Sequence, residues 1–200
     1  MPKIVDHEKR RVLLAEAAWR VIRRVGIDGV SVRNVADEAG MSLGSLRHYF
    51  TTQSELLAFS MRLVSDRVYE RITKTSWSGD PRQDMESIIA ELVPLDDERL
   101  AECEVWMAFA GKAVADPALK SLNREIYDSL RNLFRMFIAT LAEKGMMKPG
   151  VNEELEAEKL FAMVDGLVVH GVICPDEVTR ERITAVVSDY FDHLLQPGPS

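Results

Sequence analysis

Cysteine is scarce in this chain: Cys103 and Cys174 stand far apart, and neither neighbours a histidine. That excludes a disulfide-stapled scaffold and gives no zinc-finger spacing, and it fits a reducing compartment. The four histidines, His7, His48, His170 and His193, are scattered, so no metal and no cofactor are expected. No apolar run approaches the roughly 20 residues of a membrane span. Residues 160–175 come nearest and hold Asp165 and His170. The N-terminal stretch lacks the apolar centre and cleavage site of a secretory signal, and the expected setting is the cytoplasm. There is no glycine-rich phosphate loop and no Gly-x-Ser-x-Gly elbow. The acidic groups Asp96-Asp97-Glu98 and Glu153-Glu154 sit at helix starts, where they complement the dipole. The chain is therefore expected not to be an enzyme. Sustained period-two alternation is missing too, which excludes a sheet-based fold.

Positive charge is also in short supply. The net charge of −7 argues at first against a nucleic-acid partner. Its distribution weakens that objection: residues 1–56 carry nine Lys/Arg against seven Asp/Glu, and the remainder sixteen against twenty-five. Affinity for DNA follows the local field at the contacting face.

What the chain does have is helical periodicity throughout, with 46% hydrophobic residues and 28% charged ones. Leu14, Ala17, Ala18, Val21, Ile22 and Val25 mark a first helix, stopped by Gly26 and Asp28-Gly29. Ser31 is placed to cap a helix over 32–39, ended by Gly40, and Ser42 to cap another reaching about Tyr49. A long helix starts at Thr51 or Thr52 and runs to Ile72, before a break at 76–84. Further helices are expected near 82–93, 97–114, 118–144, 153–173 and 177–195. Asp116-Pro117 and Pro175-Asp176 mark starts, Gly145 marks an end, and 196–200 form a frayed tail. The fold class is all-α, with about nine helices: a three-helix head over 1–56 and a larger helical bundle over 57–200.

The head holds the informative pattern. Two short helices meet at Ala39-Gly40-Met41-Ser42, with Val35, Ala36, Ala39, Met41 and Leu46 facing inward. Ser42, Leu43, Gly44, Ser45, Arg47, His48 and Tyr49 remain outward: a thin, polar, cationic face of the kind that enters a major groove. An arginine there can fork to guanine, and hydroxyls such as those of Ser31, Tyr49 and Thr51 can hold phosphates. Arg33, on the first turn of the preceding helix, is placed toward the backbone.

At Gly29, Ser31, Val35-Ala36, Ala39-Gly40-Met41-Ser42, Leu46-Arg47-His48-Tyr49-Phe50 and Glu55-Leu56-Leu57 the sequence resembles the TetR-like family of bacterial one-component regulators. The resemblance covers about fifty residues. It implies a DNA-binding transcriptional regulator, a homodimeric repressor released from a palindromic operator by a small-molecule effector. Two positions depart from the family pattern. Arg47 stands where a tyrosine is usual, and Gln53 where a lysine usually meets a phosphate. Both bear on which operator is bound.

The resemblance also implies a body that binds an effector and dimerises through its last two long helices. GLVVHGVI (166–173) and ITAVVSDYFDHLL (183–195) are apolar enough for a four-helix interface, with Val168, Gly171, Val172, Val187, Tyr190, Phe191 and Leu194 as its residues. Two-fold symmetry then spaces two reading helices about 34–36 Å apart, one turn of DNA. Leu160, Met163, Val164, Asp165, Gly166 and Leu167 resemble the choline-responsive-repressor branch, without naming a ligand. Candidate effector-pocket walls are Trp106, Met107, Phe109, Ala110, Tyr127, Leu130 and Phe134. Asp165 is either a ligand anchor or the cap of a neighbouring helix or partner of an arginine, and His170 either a ligand anchor or a donor to a backbone carbonyl across the interface. The alternative function keeps the DNA head but gives the body only to dimerisation or to a protein partner.

Overall fold

A computed structural model of the chain describes residues 2–26 and 29–197. Nine helices form among the described residues: α1 Pro2–Val25, α2 Val32–Glu38, α3 Leu43–Arg47, α4 Gln53–Lys74, α5 Pro81–Leu92, α6 Asp97–Ala115, α7 Pro117–Glu143, α8 Glu153–Ile173 and α9 Arg180–Leu194. No strand forms among them; Met147 and Leu195 make one isolated antiparallel bridge. The fold is all-α, as the periodicity requires. Residues 198–200 of the expected tail, and Asp28 of the first stop signal, lie outside the described residues.

Local chemistry sets the helix ends. Ser31 accepts a hydrogen bond from the Asn34 amide at 3.0 Å, and Ser42 from the Ser45 amide at 3.1 Å, so each serine satisfies an orphan donor of its helix. Gly40 closes α2 at φ +64, and the Met41 amide reaches back to the Ala36 carbonyl at 2.9 Å. A side chain is strained at that φ, which makes glycine the natural terminator. The Asp116 carboxylate takes the Ala118 amide at 2.9 Å just before Pro117 opens α7.

Two expected boundaries move. α3 stops at Arg47, short of Tyr49, because the chain already turns at His48 to Tyr49. Pro175-Asp176 does not open the last helix. The Glu177 and Val178 amides fold back on the Cys174 carbonyl, and Thr179 caps α9 from Arg180.

The chain packs as two compact units. The first comprises Met1–Glu70 with Glu104–Asn123. Its core is built from Leu14, Ala17, Ala18, Val21 and Ile22 of α1, Val35 and Ala36 of α2, Leu46 of α3, and Leu56 and Leu57 of α4. Phe50 and Phe109 are wholly buried there. Arg67 of α4 pairs with Glu16 and lies over the Trp19 ring, tying α4 to α1.

The second unit comprises Arg71–Cys103 with Arg124–Ser200. Phe134, Phe137, Ile138 and Leu141 of α7, Leu160, Phe161 and Val164 of α8, and Ile183, Val187 and Phe191 of α9 are buried in its core. Arg71 donates to Glu91 at 2.6 Å and doubly to Glu102 at 3.0 and 2.6 Å, and Arg99 also reaches Glu91. An apolar cavity of about 140 Å³ lies between α5 and α9, bounded by Ile89, Val93, Ile183 and Val187 among others.

Gly171 on α8 allows close packing within this unit. A Cβ there would come 2.7 Å from Pro94 Cγ and 3.3 Å from Ile183 Cδ1. Gly171→Ala is therefore expected to destabilise the protein by about 1–3 kcal/mol through overpacking, read as a lower denaturant midpoint. Gly166 has open space around it.

Candidate nucleic-acid interface and effector site

α2 and α3 are short, held by their caps, a few buried side chains and, for α2, the Glu38 pairs with Arg20 and Arg24. Val35, Ala36 and Leu46 are buried, while Ser42, Gly44, Arg47 and His48 are exposed and Leu43, Ser45 and Tyr49 half-buried. The outward face expected from the sequence is therefore present on one corner of the first unit. Other arginines of that unit are engaged: Arg20 and Arg24 share Glu38, and Arg23 meets Glu104. Arg33 and Arg47 are exposed and make no hydrogen bond or ion pair among the described residues. These two cations are free to meet an anionic surface.

The hydroxyls differ. Ser31 and Ser42 are occupied as caps. Thr51 donates through both its amide and its hydroxyl to Glu55 at 2.8 Å, so its proton is engaged within the chain. Those donors hold the Glu55 carboxyl below its ordinary pKa. Gln53, in the slot where the resemblance implies a phosphate-binding lysine, donates its side-chain amide to the Val30 carbonyl instead. It braces the loop that leads into α2.

Among the described residues no group of three or more His, Cys, Asp or Glu side chains could hold a metal ion. No helix among the described residues is long and apolar enough to cross a membrane.

The candidate effector residues divide between the units. Trp106, Met107, Phe109 and Ala110 belong to the first, with Phe109 wholly inside its core and the other three half-buried. Tyr127, Leu130, Phe134 and Asp165 belong to the second. There the Phe161 ring lies 5.3 Å from Tyr127 and 5.3 Å from Phe134, the latter pair stacked at 23°. Phe161 was not among the residues expected from the sequence. Its signal was its position one helical turn before Asp165, which places both on one side of α8. Asp165 makes neither the cap nor the arginine pair open to it, and His170 is exposed without a side-chain hydrogen bond among the described residues. Burial alone pushes the Asp165 carboxyl up to about 6.

Residues 14–58 match the family described as bacterial regulatory proteins, tetR family, and residues 81–196 match the BetI-type transcriptional repressor, C-terminal. This chain belongs to the TetR family. The HTH-type transcriptional regulator PksA of Bacillus subtilis (strain 168) is 42% identical to it over 196 residues, covering 97% of this chain and 94% of PksA. BetI of Burkholderia mallei (strain NCTC 10229) is 28% identical over 201 residues, covering 98% and 99%. A transcriptional regulator from Rhodococcus sp. Rha1 superposes with a TM-score of 0.81 at 29% identity, over 92% of this chain and 95% of that one. A regulator from Saccharomonospora viridis in complex with choline gives 0.82 at 20% identity, over 95% and 100%, a likeness of fold. This TetR-family protein is thus a DNA-binding transcriptional regulator of repressor type and not an enzyme.

The two matched segments bracket the exposed α2–α3 face and the aromatic cluster respectively. Arg33, Arg47 and Tyr49 fall in the first, and Phe161 and Asp165 in the second.

Proposed function

We propose that this regulator is a cytoplasmic homodimer that represses from a palindromic operator and is released by a small organic cation. Residues 1–56 read the DNA, and residues 57–200 carry the dimer surface and the effector site. The free Arg33 and Arg47 beside a serine-capped α3 carry the DNA part. Arg47 reads a base edge, Arg33 and Tyr49 hold phosphates, and Ser45 and His48 flank them. Ser31, Ser42 and Thr51 support the face through their caps and the Glu55 contact. Selecting bound fragments from the source genome tests this: a two-fold symmetric site is expected, and retention of no fragment would refute it.

Support for the dimer comes from α8, which carries apolar residues on two sides once past its charged first turns. One side is buried at Leu160, Val164, Leu167, Val168 and Gly171. The opposite stripe carries Leu155 and Ile173, 49% and 61% exposed, with Ala162, Gly166 and Val169 between them. A helix apolar on both sides calls for a second cover. The residues first expected at this interface are mostly covered already. Val168, Gly171, Val187, Phe191 and Leu194 are buried in their own chain, and Tyr190 donates its hydroxyl to Glu156. Val172, half-buried, stays at the edge. The partner's cover therefore belongs on the Leu155–Ile173 stripe.

For the effector, an unpaired half-buried carboxylate one helical turn after Phe161, whose ring meets Tyr127 and Phe134, suits a cation held by charge and ring faces. The choline bound by the Saccharomonospora viridis regulator supports that class. Asp165→Asn is expected to bind operator normally yet lose release by cations such as choline.

It also carries a stability signature. Asp165 is neutral-favoured in the folded chain, so its contribution is fully present below the unfolded value of about 3.9 and is lost as pH rises through about 6. The asparagine variant should thus melt higher than the parent at pH 8 but not at pH 4. Equal melting shifts at both values would remove the buried charge from the account.

A further inference from the structure

The family's DNA-binding segment begins at residue 14, but α1 begins earlier, and its opening turns lie on the corner that follows α3. The His7 ring sits 4.6 Å from the Tyr49 ring at a tilt of 39°. One turn along the same side of α1, the Arg11 guanidinium lies 4.2 Å from the centre of Phe59 and 5.3 Å from that of Phe50. Three ring contacts, made by two α1 residues four apart, thus set the register of α1 against the α3–α4 corner.

Tyr49 is half-buried, and its hydroxyl has no partner among the described residues. Its backbone is held by the bond from its amide to the Leu46 carbonyl at 2.8 Å, which fixes Cα but not the direction of the phenol. The His7 ring limits that direction.

We infer that His7 is a positioning residue for operator binding, bracing the Tyr49 ring so that its free hydroxyl is presented to a phosphate. This role rests on Tyr49 facing the operator, as proposed above. A phosphate contact made by a preset hydroxyl avoids the cost of freezing a loose aromatic side chain on binding. His7 lies before the segment matched to the family's DNA-binding module, and Tyr49 lies within it.

The test measures operator affinity of the full-length protein at one salt concentration for His7→Ala, His7→Phe, Tyr49→Phe and the double variant His7→Ala/Tyr49→Phe. Each preparation is normalised by titration at saturating operator, so that only folded, binding-competent protein is counted. His7→Ala should bind about threefold more weakly per head, hence about tenfold for a two-headed complex. His7→Phe should stay within about twofold of the parent, since it keeps a ring face. In the Tyr49→Phe background the His7→Ala penalty should vanish, because no hydroxyl remains to be presented.

Parent-like affinity for His7→Ala, with Tyr49→Phe weakened, refutes the brace and leaves the Tyr49 contact standing. Indifference to Tyr49→Phe removes Tyr49 from the interface, and the brace with it. His7→Phe as weak as His7→Ala, or a penalty unchanged in the double variant, refutes positioning and makes the imidazole act by itself.

Discussion

Arg47→Ala is expected to produce the largest loss of operator affinity of any single substitution in the head. A bidentate arginine–guanine contact is worth about 1–3 kcal/mol. The two heads of the proposed dimer double that, so affinity should fall by about 30-fold to 10⁴-fold. The loss should concentrate at one base position in each half-site and vanish when that base is changed. The basis is structural: Arg47 is exposed, has no protein partner among the described residues, and stands at the end of a helix whose N-terminus is already satisfied by Ser42. Folding stability should hardly change. Weakening that is uniform over all sequences, with a shallower salt dependence, would instead assign Arg47 to a phosphate. No weakening at all would remove it from the interface.

Arg71→Met should give the largest loss of stability. Glu102 has only 4% of its side chain exposed, and Arg71 meets both of its oxygens. Removing the guanidinium leaves that carboxylate buried without its partner, a change that typically costs 3–5 kcal/mol. Arg71 keeps a quarter of its surface in water, so the lower end, about 3 kcal/mol, is expected. Chemical denaturation at fixed protein concentration measures it. The double variant Arg71→Met/Glu102→Met should recover most of the loss, because an apolar pair of similar volume leaves no orphaned charge.

The pH dependence provides a second check. Burial acts to raise the Glu91 carboxyl, but hydrogen bonds from Arg99 and Arg71 outweigh it and hold the group below its ordinary value. Its contribution is therefore present above the unfolded value of about 4.3 and is lost as pH falls through the depressed folded one. With Arg71 gone, one of the two holding groups is missing and that acid loss should begin at higher pH. An unchanged acid limb would show that Arg99 alone holds Glu91.

The helices were legible because their ends are written in local chemistry. Ser31, Ser42, Asp116-Pro117 and Gly145 act within a turn of where they stand, so their sequence context is their structural context. The exception, α9, shows the limit of such signs. Pro175-Asp176 has the composition of a helix start, yet its neighbours' amides are taken by Cys174, and Thr179 does the capping.

The outward face of α3 was legible for the same reason. The roles of Gln53 and Thr51 were not, since their partners Val30 and Glu55 are settled by how the turns pack. Contacts far apart in the chain were the least visible. Phe161 meets Tyr127 and Phe134 from another helix, and Arg71 meets Glu91 and Glu102 from two others. Apolar periodicity marked 166–173 and 183–195 as apolar enough to be covered by a partner. It does not say whether the cover comes from the same chain, which is why Val187, Phe191 and Leu194 turned out to serve their own core.

The slightness of α3 has a consequence for how such a regulator changes over generations. Five residues long, it is held in place by the Ser42 cap and the buried Leu46. A Cβ added at Gly44 would meet nothing closer than Ser42 Oγ at 4.0 Å, and Arg47 and His48 stand in solvent. Replacements at such exposed positions shift stability by roughly 0.5 kcal/mol or less. Address and scaffold are therefore nearly independent: a duplicated copy could acquire a new target promoter in one or two substitutions while its body stays folded.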